Sequence, residues 1–321
     1  MKAVVVEQIG SFYYREIDVP RIAPKEVLVR VQVTGLCRTD LKIVRVGHRD
    51  LVLPRVPGEE VVGVIDEVGS AVSRFHTGQR VYIYPGTSCG TCHACRTGAG
   101  NLCVSMQIMG FHRDGGFAEY VCAPEACLIP IPDQLPDDVA ILAEPLSCCL
   151  TALDRAALKA GDCVGVWGGG PAGTLIRRAA AARGATSWTI EPHAGRRARA
   201  GGFEEAPTDG CDVAVVAVGD AAAYQQALKA LRPRGCLVLF SGLSPATACQ
   251  PLDLNAMHYL EQRVAGAYGC TFDHGAEAIR LLADGSVAVS DMISHRLPLA
   301  ELDHALGIVE RREGMKVLLY P

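Results

Sequence analysis

Residues 163–173 read Cys163-Val164-Gly165-Val166-Trp167-Gly168-Gly169-Gly170-Pro171-Ala172-Gly173. A short apolar run breaks into glycines, and an Ala-rich stretch of helical character follows at residues 172–183. This is G-x-G-x-x-G between a strand and a helix, the context in which such glycines bind a dinucleotide. Gly168 would make the tight turn, Gly170 would let backbone approach a pyrophosphate, and Gly173 would let the helix pack closely on the strand. The free N–H groups at the helix N-terminus then face the phosphates.

The surroundings agree. Residues 187–191 form a second strand pattern ending in Glu191, at the spacing of the acid that hydrogen-bonds an adenosine ribose. An acid there repels a 2′-phosphate, so NAD is expected over NADP. Arg196 and Arg197 lie just beyond and could blunt that preference. Downstream, strand patterns at 212–218, 236–241 and 264–268 alternate with helical ones, which predicts a doubly wound parallel sheet. The stretch from Glu191 to residue 212 is too short for a full crossover with its own strand and helix. Residues 202–206 are therefore expected to hold a vestigial strand.

Upstream the texture differs. Residues 3–6, 26–33, 60–67 and 80–84 are Val/Ile-rich runs broken by Pro or Gly, as in a compact antiparallel barrel. Helical patterns at 146–158, 274–283 and 299–311 and a strand at 316–320 complete the chain. At 321 residues the chain is long enough for two domains. We expect residues 1–145 and 270–321 to form a β-rich catalytic domain, and residues 146–269 the nucleotide-binding domain.

Residues 86–103 have no apolar period and need another source of order. Cys89, Cys92, Cys95 and Cys103 form C-x2-C-x2-C-x7-C there. Paired C-x2-C turns present thiolates at the separation tetrahedral zinc requires, and four of them leave it no open position, so a structural zinc is expected. An iron–sulfur cluster is the other metal reading. The chain has 14 cysteines, and the rest read as small buried thiols. Hydrophobic residues make up 49%, charged residues 21%, and the net charge is −4, with no basic face for nucleic acid. No charged-then-apolar leader and no membrane-length apolar run is read, so a cytoplasmic protein is expected.

Taken together, Gly35-Leu36-Cys37-Arg38-Thr39-Asp40, Pro57-Gly58-Glu59-Glu60, the cysteine lobe, Gly115-Gly116-Phe117-Ala118-Glu119-Tyr120, Glu144-Pro145-Leu146-Ser147, the glycine turn and Lys316-Val317-Leu318-Leu319 resemble the medium-chain dehydrogenase/reductase superfamily. The likeness covers nearly the whole chain. Glu-Pro-Leu-Ser is similar to sorbitol and threonine dehydrogenases. Residues 255–261 are similar, more loosely, to cyclitol and aminocyclitol dehydrogenases. The resemblance implies a GroES-like β-rich domain beside a Rossmann domain, and NAD-linked interconversion of an alcohol and a ketone on a small polar substrate. It also implies a homodimer or homotetramer joined through the strand at 264–268.

It implies a catalytic zinc as well, with Cys37 as its first ligand, Thr39 starting a proton relay, and Glu60 and Glu144 as acids at the metal. Two positions depart from the family pattern. Glu59 stands where a histidine ligand is expected, and Lys42 where a second histidine is expected. Cys37, Glu59, Glu60 and Glu144 would together set about four negative charges against the two of zinc. Three readings stay open. Glu59 stands in for histidine and zinc binds; or the metal is lost and Lys42 with Thr39 handles the proton; or the chain binds nucleotide without chemistry. A metal-free reductase of an activated C=C or C=N bond belongs to the second. Lys42 read plainly is a surface cation on an early helix. His112, His48 and Arg49 are polar residues near the same region.

Overall fold

The structure is a computed structural model that describes residues 1–321. The chain forms two compact units: Met1–Glu144 with Thr271–Pro321, and Pro145–Cys270. It combines a parallel α/β sheet with a β-rich domain, as the sequence led us to expect.

The first unit is built on a seven-stranded sheet. Its central strand, Glu26–Leu36, pairs antiparallel with Glu60–Val68, with Tyr120–Pro124 and with the last strand, Lys316–Tyr320. Alternate β-branched residues explain the pairing: Val27, Val29, Val31, Val61, Ile65, Val81 and Ile83 all point into one core and are at most 5% exposed. A second core lies on the other side of the strands. There Val4, Val6, Leu41 and Val44 meet Leu302, Leu306 and Ile308 from the helix Leu302–Arg311. The strand Ile293–Pro298 adds to Lys316–Tyr320 in parallel at the sheet edge.

Register places Gly35 opposite Glu60 on one side and Leu318 on the other. The strands bearing Glu60 and Lys316 thus flank Gly35 without pairing with each other. This juxtaposition shapes the site described below.

The second unit is a five-stranded, all-parallel sheet. In spatial order its strands are Thr186–Ile190, Cys163–Trp167, Cys211–Val216, Leu231–Leu239 and Arg263–Gly266. The helices Pro171–Ala182 and Ala221–Lys229 connect them. The expected vestigial strand is reduced to a single bridge between Ile190 and Phe203. Phe203 N–H donates to the Thr189 carbonyl (2.7 Å), and Glu191 N–H donates to the Phe203 carbonyl (3.1 Å). The seven-residue helix Ala194–Ala200 fills the shortened connection.

No helix is long and apolar enough to cross a membrane.

Candidate functional site

In the first unit the site begins at Cys37, the N-cap of the helix Arg38–Val46. Its sulfur accepts the Asp40 N–H (3.4 Å), and the Asp40 carboxylate accepts the Cys37 N–H (2.9 Å). Thiol and carboxylate thus close a capping box, satisfying helix-end donors that would otherwise be orphaned. Asp40 is fully buried, and burial drives its pKa up to about 6. Thr39 sits half-buried in the first turn, while Lys42 is exposed one turn further on.

Glu60 opens the strand Glu60–Val68 and reaches across Gly35 to Lys316, whose ammonium contacts both carboxylate oxygens. The side chains of Glu60 and Lys316 are 1% and 4% exposed. The ammonium also donates to the Leu36 carbonyl (3.3 Å). A Cβ at position 35 would run into the Glu60 carboxylate and lie 2.9 Å from Lys316 Cε, so glycine is what leaves room for the pair. Each charge, costly to bury alone, faces the opposite charge. The net result for Lys316 is a pKa above its ordinary value: burial pulls it down, and Glu60, Cys37 and Glu144 pull it up.

Cys37 is held as a thiol. Burial raises its pKa first, and Asp40, Glu60 and Glu59 add to this, with Lys316 opposing. A Cβ built at Gly110 would lie 3.5 Å from Glu59 Cγ, so Glu59 passes close to the Gly110 backbone. Cys37, Glu59, Glu60 and Glu144 were expected to gather as a metal-binding set. They do not converge within 4.8 Å of one another as the cysteine lobe does. The physical reason lies in Glu60, whose carboxylate is engaged by Lys316. The same ammonium corrects the charge count, because one of the four negative charges carries its own cation.

The cysteine lobe behaves differently. The ligand sulfurs of Cys89, Cys92, Cys95 and Cys103 lie within 4.8 Å of one another. Cys89–Cys95 is 3.9 Å and Cys92–Cys95 is 3.5 Å. Zinc with four sulfurs at about 2.3 Å has a tetrahedral edge of ~3.8 Å, so the set fits that ion. Backbone N–H groups of Cys92 and Ser105 point at the Cys89 and Cys103 sulfurs (both 3.4 Å), and hydrogen bonds from Thr91 and Cys92 pull the Cys89 pKa down to about 5. When bound, zinc here would supply order to the loop, with no position open for a reactant.

In the second unit Gly168 follows the strand with φ +114°, a backbone open to glycine, and its N–H donates to the Ile190 carbonyl (2.8 Å). Nothing lies within 4 Å of a Cβ placed at Gly170. One placed at Gly173 would collide with the Gly168 carbonyl oxygen. Pro171 occupies the first helical position, where its missing N–H costs nothing. Glu191 lies one residue past its strand and is 4% exposed. Its carboxylate accepts the N–H groups of Gly169 (2.9 Å) and His193 (3.0 Å), with Arg196 Nη1 at 3.9 Å. Arg197 is turned to the carbonyls of Glu191 (3.1 Å) and Pro192 (2.8 Å) and toward Glu204 (3.5 Å).

Lys316 stands in a sequence motif that implies no role for it. The available signal was a lysine opening a strand that is otherwise apolar. Cys149 is buried, with its thiol on the Ala172 carbonyl (3.5 Å), and is a core residue. Asn255 and His258 lie in the short helix Leu254–Tyr259.

Residues 23–133 match the alcohol dehydrogenase GroES-like domain family. The chain is 32% identical to a sorbitol dehydrogenase of Bacillus subtilis, over 100% of this chain and 97% of that one. It belongs to the zinc-containing medium-chain alcohol and polyol dehydrogenases. It is also 29% identical to an L-threonine 3-dehydrogenase of Rhizobium etli, over 99% and 98% of the two chains. A proposed zinc-binding dehydrogenase of Sinorhizobium meliloti, solved with NADP, superposes with a TM-score of 0.92 at 31% identity, covering 100% of this chain and 99% of that one. This dehydrogenase is therefore an oxidoreductase of CH–OH groups that works with a nicotinamide cofactor.

Proposed function

We propose that this dehydrogenase interconverts a secondary alcohol and a ketone on a polyol, sugar or cyclitol, with NAD as hydride carrier and zinc confined to the cysteine lobe. The observation that carries the cofactor reading is the Glu191 carboxylate, fixed at the glycine turn by the Gly169 and His193 N–H groups. A carboxylate held there accepts hydrogen bonds from a ribose diol and repels a 2′-phosphate. Arg196 at 3.9 Å softens this without cancelling it. Bound NAD supplies the hydride acceptor. The Gly168–Gly173 turn and the N-terminus of the helix Pro171–Ala182 would hold its phosphates, and the half-buried Thr39 hydroxyl would start the relay that carries the substrate proton to solvent.

Fluorescence titration of NADH and NADPH tests this directly. NADH should bind at least about tenfold tighter, a difference of ~1.4 kcal/mol, and Glu191→Ala should narrow the gap. Equal affinity for both would refute the NAD assignment. A panel of polyols, sugars and cyclitols, followed by appearance of reduced nicotinamide, tests the substrate class.

A second reading is favoured by the failure of Cys37, Glu59, Glu60 and Glu144 to converge. In it the chain reduces an activated C=C or C=N bond, and NADH would be consumed by such substrates while polyols give no turnover. For assembly, we propose pairing of two copies through the edge strand Arg263–Gly266. Leu254, Tyr259, Leu260 and Tyr268 expose apolar surface near it in sequence. Light scattering that shows a monomer would refute it.

A further inference from the structure

The chain passes from one unit to the other at two places, between residues 144 and 145 and between 270 and 271. A cysteine stands beside each. Cys148 lies in the second turn of the helix Ala143–Ala156, and Cys270 is the last residue of the second unit. Both belong to that unit, and their sulfurs lie within 4.8 Å of each other. Neither is part of the zinc lobe, whose sulfurs are those of Cys89, Cys92, Cys95 and Cys103.

Local structure sets which of the two can move. Cys149 turns its thiol to the Ala172 carbonyl (3.5 Å) and is buried. Successive helical residues point about 100° apart, so Cys148 is directed away from that contact. It remains half-buried, on a backbone that the helix holds in place. Cys270 is buried, but its flanks differ. Gly269 before it has φ +57°, and nothing lies within 4 Å of a Cβ placed there. Thr271 after it caps the helix Phe272–Ala283 by accepting the His274 N–H (3.4 Å). Rotation at the unhindered glycine can therefore carry Cys270 to Cys148 without unwinding either helix. A disulfide requires the sulfurs at roughly 2.0 Å.

We propose that Cys148 and Cys270 form a reversible disulfide, a redox switch at the two crossings of the chain. Exchange with a small disulfide such as oxidised glutathione supplies the chemistry. The thiolate of Cys148, the more exposed of the two, attacks one glutathione sulfur, the glutathione S–S bond breaks, and one glutathione leaves. Cys270 then attacks the Cys148 sulfur, closes the protein disulfide and expels the second glutathione. Two protein thiols are oxidised, one glutathione disulfide is reduced, and the two thiol protons end on the two glutathiones. In a reducing compartment such a bond is transient and regulatory. It ties together the segments that absorb any shift of one unit against the other, and it leaves the glycine turn untouched. Oxidation therefore slows turnover and spares cofactor binding.

The test equilibrates the whole protein in glutathione buffers of rising oxidised fraction, quenches with an alkylating reagent and maps the peptides by mass. A linked peptide joining Cys148 to Cys270 should appear in oxidised buffer and vanish with dithiothreitol. Nicotinamide-linked turnover should fall about fivefold or more in step with it, while NADH affinity by fluorescence stays unchanged. Zinc content should also stay constant, which separates the switch from oxidation of the four-cysteine lobe. Cys148→Ser and Cys270→Ser should each lose the linked peptide and keep full turnover in oxidised glutathione. Cys148→Ala and Cys270→Ala serve the same purpose where serine destabilises the fold. Separate alkylation of both thiols in fully oxidised glutathione would overturn the proposal, as would equal loss of turnover in the unaltered protein and Cys148→Ser. Zinc held by these two thiols and retained in Cys95→Ser would overturn it too.

Discussion

Glu60 and Lys316, 256 positions apart in sequence, meet as a buried ion pair over the bare backbone of Gly35. They belong to strands on opposite sides of Glu26–Leu36, and the missing side chain at position 35 lets them touch. The pair joins the closing strand of the chain to the edge of the candidate site. It also neutralises one of the acids gathered around Cys37.

Removing one partner should therefore be costly. Lys316→Met leaves the Glu60 carboxylate buried without a counter-charge, and a loss of about 3–5 kcal/mol in unfolding free energy is expected. Adding Glu60→Gln should recover part of the loss, so the double variant should be more stable than the two single losses sum to. Urea unfolding of the four proteins in the cycle reads this out, and strictly additive losses would contradict a direct pair.

The glycine turn yields a second expectation. Gly173→Ala places a methyl group against the Gly168 carbonyl and pushes the helix Pro171–Ala182 off its strand. NADH affinity should fall by about tenfold or more, because the helix N-terminus loses its position at the phosphates. Unchanged NADH affinity in a folded variant would mean that the turn does not bind the cofactor.

His48 gives a pH dependence with a defined sign. Burial and the surrounding cations hold its folded pKa below 6.5. The unfolded chain thus takes up the proton first as pH falls, and stability present above 6.5 is lost as pH drops from there through the folded pKa. His48→Gln should flatten this part of the stability–pH curve. A curve of equal slope in both proteins would contradict it.

Much of this was readable from local pattern. The strand–glycine–helix signature needs neighbours in sequence only, and the four-cysteine spacing sits within 15 residues. The clipped crossover was legible from chain length, and it survives as the bridge at Phe203. The hairpin strand Ser11–Glu16 was not read, because it is largely exposed and lacks the apolar alternation that marks a half-buried strand. Lys316 escaped for another reason. Its partner is fixed by the register of two strand pairs about a central strand, which no local window contains. The carbonyl and carboxylate partners of Lys316 likewise appear only once the sheet is assembled.

Metal content tests the central claim most directly. Protein produced with zinc in the medium should carry one zinc per chain by elemental analysis, and Cys95→Ser should carry none. That variant should also become protease-sensitive across residues 86–108 as the lobe loses its order. Two zincs per chain, with one retained in Cys95→Ser and lost in Cys37→Ser, would contradict the account and return a metal to the Cys37–Glu59 site.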